Sequence, residues 1–121
     1  MQVVAEVLVG ALAVLHLYFL VLEMFLWQRP RNRAAFGMDE EAARITAPLA
    51  ANQGLYNGFL AAGLIWGLLA SDSTAFQVQV FFVSCVVVAG AFGAASTSSR
   101  RILLGQCVPG ILALVAVLLA G

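Results

Sequence analysis

Four long apolar runs, separated by short polar connections, most constrain what this 121-residue chain can fold into. Each run is roughly 18 to 25 residues long, close to the ~20 residues that an α-helix needs to cross the hydrocarbon core of a bilayer. Hydrophobic residues make up 63% of the chain and charged residues 10%, unlike a soluble domain. We therefore predict one transmembrane domain over residues 1–121, with spans at about 3–27, 48–70, 75–95 and 102–119.

The connections between these runs predict how the spans are arranged. Helices joined by short connections lie antiparallel to their neighbours, which favours an up-down bundle. The longest connection is 28–46, where Asp39 can cap a short helix ending near Ile45, and Pro48 suits the first turn of the second span. The predicted fold class is an all-α membrane protein: an antiparallel up-down bundle of four transmembrane helices with a short interfacial helix between the first and second spans.

The positive charges predict the orientation. All six are arginines, and they fall in the two connections on one side, 28–46 and 96–101. By the positive-inside rule, both termini then face away from the cytoplasm, as in a multi-pass protein of the cell inner membrane. No basic helix carries interleaved aromatic residues, so nucleic-acid binding has no support. The expected partners are the lipid bilayer and a small amphiphilic ligand or lipid.

Small residues indicate where helices can approach closely. Gly54 and Gly58, and then Gly63 and Gly67, repeat at four-residue spacing in the second span. Such faces let helix backbones pack together in a membrane, where no hydrophobic force drives helix association. We expect these faces to pack within one chain, and a homodimer through them is the alternative.

Polar side chains inside the apolar runs mark the candidate site. Wound as a helix, the second span places its amides and its tyrosine on one arc of roughly 140°. On the first span, a histidine, a glutamate and a tryptophan share a stripe about 40° wide. A glutamine of the fourth span lies at the depth of that glutamate. The predicted ligand-binding set is His16, Glu23, Trp27, Asn52, Gln53, Tyr56, Asn57 and Gln106.

Two interpretations of this polar layer stay open. Buried polar groups in membranes pair with one another, so the layer can be a structural clasp that fixes helix register. Alternatively, an intramembrane glutamate and a midplane histidine can line a pocket or a proton path. In the pocket interpretation, Glu23 is the charged or proton-bearing group, and His16 closes the deep end. The amides of Gln53, Asn57 and Gln106 orient the ligand, between aromatic walls from Trp27 and Tyr56.

Three further functions remain as alternatives to a non-enzymatic binding protein. The first is proton-coupled transport through Glu23 and His16. The second is a membrane enzyme acting on a lipid or quinone, which would need Ser84 or Cys85 within reach of His16. The third is a helper subunit whose cytoplasmic contact is the arginine-rich connection. A metal site is not predicted, because the single histidine lies two helical turns from Glu23. No cofactor and no catalytic residue are assigned.

The pattern His16-x-x-Phe19-x-x-x-Glu23-x-x-x-Trp27, followed by Asn52-Gln53-Gly54-Leu55-Tyr56-Asn57-Gly58, resembles the family of small integral membrane proteins called domain of unknown function 1304. The resemblance covers essentially the whole chain and implies four spans. It also implies that His16, Glu23, Asn52, Gln53, Tyr56 and Asn57 are signature positions. The family carries no assigned activity, so the resemblance implies no catalytic role.

Overall fold

A computed structural model describes all 121 residues, and every regular element in it is helical. In chain order the first four helices are α1 (Gln2–Phe25), α2 (Pro30–Ala35), α3 (Glu40–Leu69) and α4 (Asp72–Thr97). The last stretch is continuous: α5 (Arg100–Ile102) leads through a π-helical segment (Leu103–Cys107) into α6 (Val108–Ala120).

Three helical stretches are long and apolar enough to cross a membrane: α1, α4 and the continuous stretch Arg100–Ala120. These stretches indicate a membrane protein and confirm the prediction of long apolar helices. α3 is longer still, with 30 residues. Its apolar sequence is interrupted by Asn52, Gln53 and Asn57, so the crossing of a membrane by α3 stays a prediction.

The start of α3 differs from the sequence prediction. The residues predicted as a separate interfacial helix are the first turns of α3, which runs through Pro48 without a break. Asp39 caps this start, because its Oδ1 accepts the N–H of Ala42 at 2.7 Å. Pro48 removes only the N–H that would bond to the carbonyl of Arg44. Arg44 is exposed, so its carbonyl can be hydrated. The short helix between the first two long helices is instead α2.

The chain divides into two compact units, here called the first unit (residues 1–14 and 60–121) and the second unit (15–59). The first unit has one hydrophobic core, to which α1, α3, α4 and α6 all contribute. Small and branched side chains dominate it, which permits close packing of helices. The buried members are Ala5, Val9, Leu12, Ala13, Leu64, Val83, Val86, Ala113, Ala116 and Val117.

A close backbone approach in the first unit involves the π-helical segment. There the N–H of Val108 donates to the carbonyl of Leu103, five residues earlier. Pro109 follows directly and has no N–H to continue the regular pattern. A Cβ added at Gly90 of α4 would lie 2.7 Å from the backbone nitrogen of Cys107. Glycine is therefore the residue that lets α4 touch this segment backbone to backbone.

The second unit contains the end of α1, the whole of α2 and the first twenty residues of α3, Glu40 to Phe59. α1 and α3 meet at the predicted glycine pair. A Cβ at Gly54 would lie 2.7 Å from Cγ of Met24 and 3.2 Å from the carbonyl oxygen of Leu20. A Cβ at Gly58 would lie 2.6 Å from Cδ1 of Leu20. These two glycines therefore serve packing within the chain.

Candidate functional site

A carboxyl–amide pair lies where α1 and α3 meet in the second unit. Nδ2 of Asn57 donates a hydrogen bond to Oε1 of Glu23 at 2.5 Å. Asn57 is buried and Glu23 is half-buried. A hydrogen bond to an ionised carboxylate is roughly twice as strong as one between neutral groups. The pair therefore connects two helices through residues 34 positions apart in the chain.

The glycines of α3 explain why Asn57 reaches Glu23. In a helix, position 57 lies about 60° from position 54, on the side of the two glycines. Gly54 contacts the Cβ of Glu23 itself, with an added Cβ only 3.1 Å away. A short amide side chain spans the remaining gap because the backbones are already close. The glycine pair is thus part of the site as well as of the packing.

The other polar residues of the predicted arc do not join this pair. Asn52, Gln53 and Tyr56 are all exposed, and Tyr56 keeps 56% of its accessible surface. The ring of Tyr56 contacts Phe59 edge to face, with centroids 5.7 Å apart. Only the edge of the arc beside the glycines faces α1, so the structure separates one buried amide from three exposed polar side chains. Their ligand-binding role stays a prediction.

Trp27 makes its contacts one turn beyond Glu23. Its Nε1 donates to Oγ1 of Thr46 at 3.0 Å, and Thr46 donates in turn to the carbonyl of Ala42 at 2.7 Å. The indole also lies against Phe36, with ring centroids 5.0 Å apart. Trp27 thus attaches the end of α1 to the first turns of α3.

His16 is completely buried, with 0% of its surface accessible. Its ring meets Phe19 edge to face, with centroids 5.5 Å apart. His16 lies seven residues before Glu23 on the same helix, or about 10 Å along the axis. The two groups therefore lie at different depths along α1. The sequence also predicts this difference, with His16 deeper than Glu23.

The remaining predicted residue, Gln106, belongs to the first unit. It is half-buried on the π-helical segment. A cavity of about 200 Å³ also lies in the first unit, and it includes none of the predicted site residues. No group of three or more His, Cys, Asp or Glu side chains is arranged to hold a metal ion. The cavity is lined by Gln2, Ala5, Asp72, Ala75, Phe76, Gln79, Val117, Ala120 and Gly121.

The carboxyl group of Glu23 has one oxygen engaged and one free. Oε1 accepts from Asn57, while Oε2 has no hydrogen-bond partner in the chain and is not enclosed by it. Glu23 also lies in the last turn of α1, where the helix dipole disfavours a negative charge. The position is therefore unfavourable for helix stability and suited to accepting a hydrogen bond from another molecule.

Sequence reasoning missed Thr46 as the partner of Trp27. Thr46 lies in the polar connection, nineteen residues from Trp27, and no local pattern marks it. The proximity of Gly54 to Glu23 was partly predictable. The glycine repeat predicts a close contact between helices, but it does not identify which helix lies opposite.

Comparison with known proteins adds a family. A family model described as "Protein of unknown function (DUF1304)" matches residues 10–118. The chain is similar to "Uncharacterized protein YpaA" of Lactococcus lactis subsp. lactis (strain IL1403). The two are 31% identical over 101 residues, which cover 82% of this chain and 83% of YpaA. No solved structure matches.

Proposed function

The chain belongs to the DUF1304 family, as its sequence pattern predicts, and we propose that it is a non-enzymatic integral membrane protein that binds a small polar or amphiphilic molecule beside Glu23. The free Oε2 of Glu23 is the observation that carries this proposal. It accepts a hydrogen bond from an amine or hydroxyl of the ligand, while Asn57 holds the other oxygen. A lipid headgroup and a small free metabolite both carry such donors.

The fixed geometry of the carboxyl group is what makes Glu23 useful for binding. Asn57 fixes one oxygen, so the direction of the second oxygen is set before the ligand arrives. Pre-organisation of this kind reduces the entropy lost on binding. An intramembrane carboxyl group is costly and is therefore a functional-site hypothesis by default. In this proposal, Gln53 and Tyr56 supply further contacts to the ligand. Both are exposed and lie on the polar arc of α3 that also contains Asn57.

The membrane topology is part of the proposal. α3 forms a fourth span, and the arginines of 28–46 and 96–101 lie on the cytoplasmic side of the inner membrane. Both termini then face away from the cytoplasm. Glu23, close to the arginine-rich connection, opens toward the cytoplasmic leaflet. The charge distribution supports this orientation, and labelling of single cysteines introduced at the termini and in 28–46 tests it.

The binding proposal is tested by native mass spectrometry of the detergent-purified protein, with extraction of any molecule that co-purifies. Glu23→Gln keeps an oxygen that can accept from Asn57 and removes the carboxylate. Glu6→Gln is the matched control, since Glu6 lies on the same helix and is exposed, with a bond from Gln2. We expect a defined non-protein mass on the parent and on Glu6→Gln that is lost from a folded Glu23→Gln.

Two outcomes contradict the proposal. A bare protein in all three samples, with Glu23→Gln less heat-stable, indicates that the carboxyl–amide pair is a structural clasp. If every bound mass is retained by Glu23→Gln and none is lost, the bound molecules lie elsewhere.

A further inference from the structure

The connection between α1 and α3 carries a concentrated positive charge. Arg29, Arg31 and Arg33 fall within five residues, and no acidic residue lies between Gln28 and Met38. None of the three forms an ion pair. Arg44 differs, because it pairs with Glu41 at 3.6 Å one helical turn away. The three arginines of α2 and its start, here called the arginine cluster, are therefore uncompensated within the chain.

The arginine cluster is held on an ordered scaffold. Pro30 occupies the first turn of α2, and Nδ2 of Asn32 donates to the carbonyl of Leu26 at 2.7 Å. At the other end, the N–H of Met38 bonds to the carbonyl of Arg33 at 2.9 Å, and that of Gly37 to Ala34 at 3.3 Å. With φ of +64° at Gly37, this is a Schellman motif. Both ends of α2 are thus fixed by hydrogen bonds.

Arg33 is the most buried member of the arginine cluster. Its Nε is shielded from solvent and has no hydrogen-bond partner, while the residue as a whole is half-buried. A guanidinium group that is partly removed from water interacts more strongly with an anion than a fully hydrated one does. Arg29 and Arg31 are exposed beside it. The cluster therefore combines one partly desolvated charge with two accessible ones.

None of the acidic residues on either side of the cluster pairs with it: Glu23, six residues before Arg29, accepts from Asn57, and those that follow the cluster are occupied in other ways. Asp39 caps α3 through the N–H of Ala42, and Glu41 pairs with Arg44. Glu40 lies in the first turn of α3, where the helix dipole favours a negative charge. The arginine cluster thus has no carboxylate partner within the chain and can bind an anion from outside it.

From these observations we propose that the arginine cluster binds the phosphate group of an anionic phospholipid. Guanidinium groups match phosphate oxygens with paired hydrogen bonds, and three of them suit an anionic headgroup. The flanking aromatic residues favour a lipid over a soluble phosphate. Phe25 at the end of α1 and Phe36 at the end of α2 are 69% and 50% exposed. They offer apolar contact to acyl chains next to the charged groups.

The position in the chain agrees with this partner. The cluster begins four residues after the end of α1, a helix long and apolar enough to cross a membrane. Lipid phosphates lie at the level where such a helix leaves the hydrocarbon core. Basic residues next to a span gain about 1 kcal/mol each from an anionic surface, which corresponds to about fivefold in affinity per arginine.

The test measures lipid binding to the full chain in detergent by native mass spectrometry, with phosphatidylglycerol and phosphatidylcholine as probes. We expect the parent to prefer phosphatidylglycerol, because the choline group of the other lipid is repelled by the cluster. The combined change Arg29→Gln, Arg31→Gln and Arg33→Gln should weaken phosphatidylglycerol binding on the order of a hundredfold. The single change at exposed Arg31, which leaves the scaffold untouched, should weaken it about fivefold.

The matched control is Arg44→Gln, which removes one arginine that is already paired and should leave the affinity unchanged. Equal loss in Arg44→Gln would overturn the proposal, since any positive charge would then serve. Equal binding of the two lipids by the parent, or unchanged affinity in Arg31→Gln, would also overturn it. Inorganic phosphate in excess should leave the lipid bound. Displacement of the lipid by phosphate would reject a phospholipid as the occupant.

Discussion

Glycines allow close helix contacts in both units, but the first unit surrounds them with a core of alanine, valine and leucine, whereas in the second unit they flank a carboxyl–amide pair. The first unit does bury one amide, Gln79, whose Nε2 donates to the carbonyl of Gly67 at 2.8 Å. That bond ends on the backbone and leaves no ionisable group. The pair in the second unit leaves a free carboxyl oxygen. Close packing alone accounts for the first unit, and it does not account for the second.

The largest effect is expected in the first unit, from Gly90→Ala. The added Cβ would lie 2.7 Å from the nitrogen and 2.8 Å from the Cα of Cys107, and backbone atoms cannot rotate away. We expect a loss of about 3 kcal/mol in the free energy of unfolding, at the upper end of overpacking effects. Reversible unfolding in mixed detergent micelles measures it. Gly105→Ala is the control, since its Cβ meets nothing within 4 Å. Equal effects of the two substitutions would contradict close contact at Gly90.

The next effect is expected in the second unit, from Asn57→Ala. The substitution leaves a half-buried carboxyl group without its donor, and an unmet polar group of this kind costs about 2 kcal/mol. Gln53→Ala, on the exposed part of the same helix, should change stability little. A double-mutant cycle with Glu23→Ala, which removes the acceptor, measures the coupling. If Asn57→Ala and Gln53→Ala were equivalent, the carboxyl–amide pair would have no role in holding the unit together.

A smaller effect is expected from Trp27→Phe. Phenylalanine keeps a ring against Phe36 but loses the N–H that donates to Thr46. The expected loss is about 1 kcal/mol, typical of one hydrogen bond. Thermal unfolding followed by circular dichroism measures it. Trp66→Phe serves for comparison, because Trp66 is exposed on the part of α3 that belongs to the first unit. A larger loss of stability from Trp66→Phe than from Trp27→Phe would contradict a stabilising role for the bond between Trp27 and Thr46.

The smallest effect is expected from Gly58→Ala, which separates the two kinds of glycine contact. Its Cβ would meet only the end of the Leu20 side chain, which can rotate. Alanine also favours a helix over glycine, so the two effects nearly cancel, within about 0.5 kcal/mol. The same unfolding assay applies. A loss as large as that of Gly90→Ala would mean that Leu20 is fixed as firmly as a backbone.

Much of the fold could be predicted from the sequence, because a long apolar run indicates a long helix with few competing alternatives. The helices at α1 and α4 follow directly from such runs. The start of α3 could not be read in this way, because Pro48 is equally compatible with the first turn of a helix and with an interior position whose lost bond faces water. The cap at Asp39 fits both alternatives, and the continuity of α3 through Pro48 in the structure decides between them.

The candidate site was predictable in composition but not in detail. Helical periodicity places Asn52, Gln53, Tyr56 and Asn57 on one arc, and it cannot tell which edge of that arc faces α1. The glycines decide it, since Asn57 is the member next to them. The sequence does mark an irregularity near the π-helical segment, because Pro109 lacks the N–H that an α-helical hydrogen bond requires. The number of residues affected depends on contacts such as that of Gly90 with Cys107.

The π-helical segment also bears on how the length of this chain can change. A bond that spans five residues encloses one residue more than the α-helical bond, so the segment absorbs one residue that a regular helix would not hold. Loss of a residue here leaves the buried face of α6, at Gly110, Ala113 and Val117, pointing the same way. Loss of a residue within α6 turns part of that face by about 100°. We therefore expect a single-residue deletion in the π-helical segment to be tolerated better than one among the buried positions of α6.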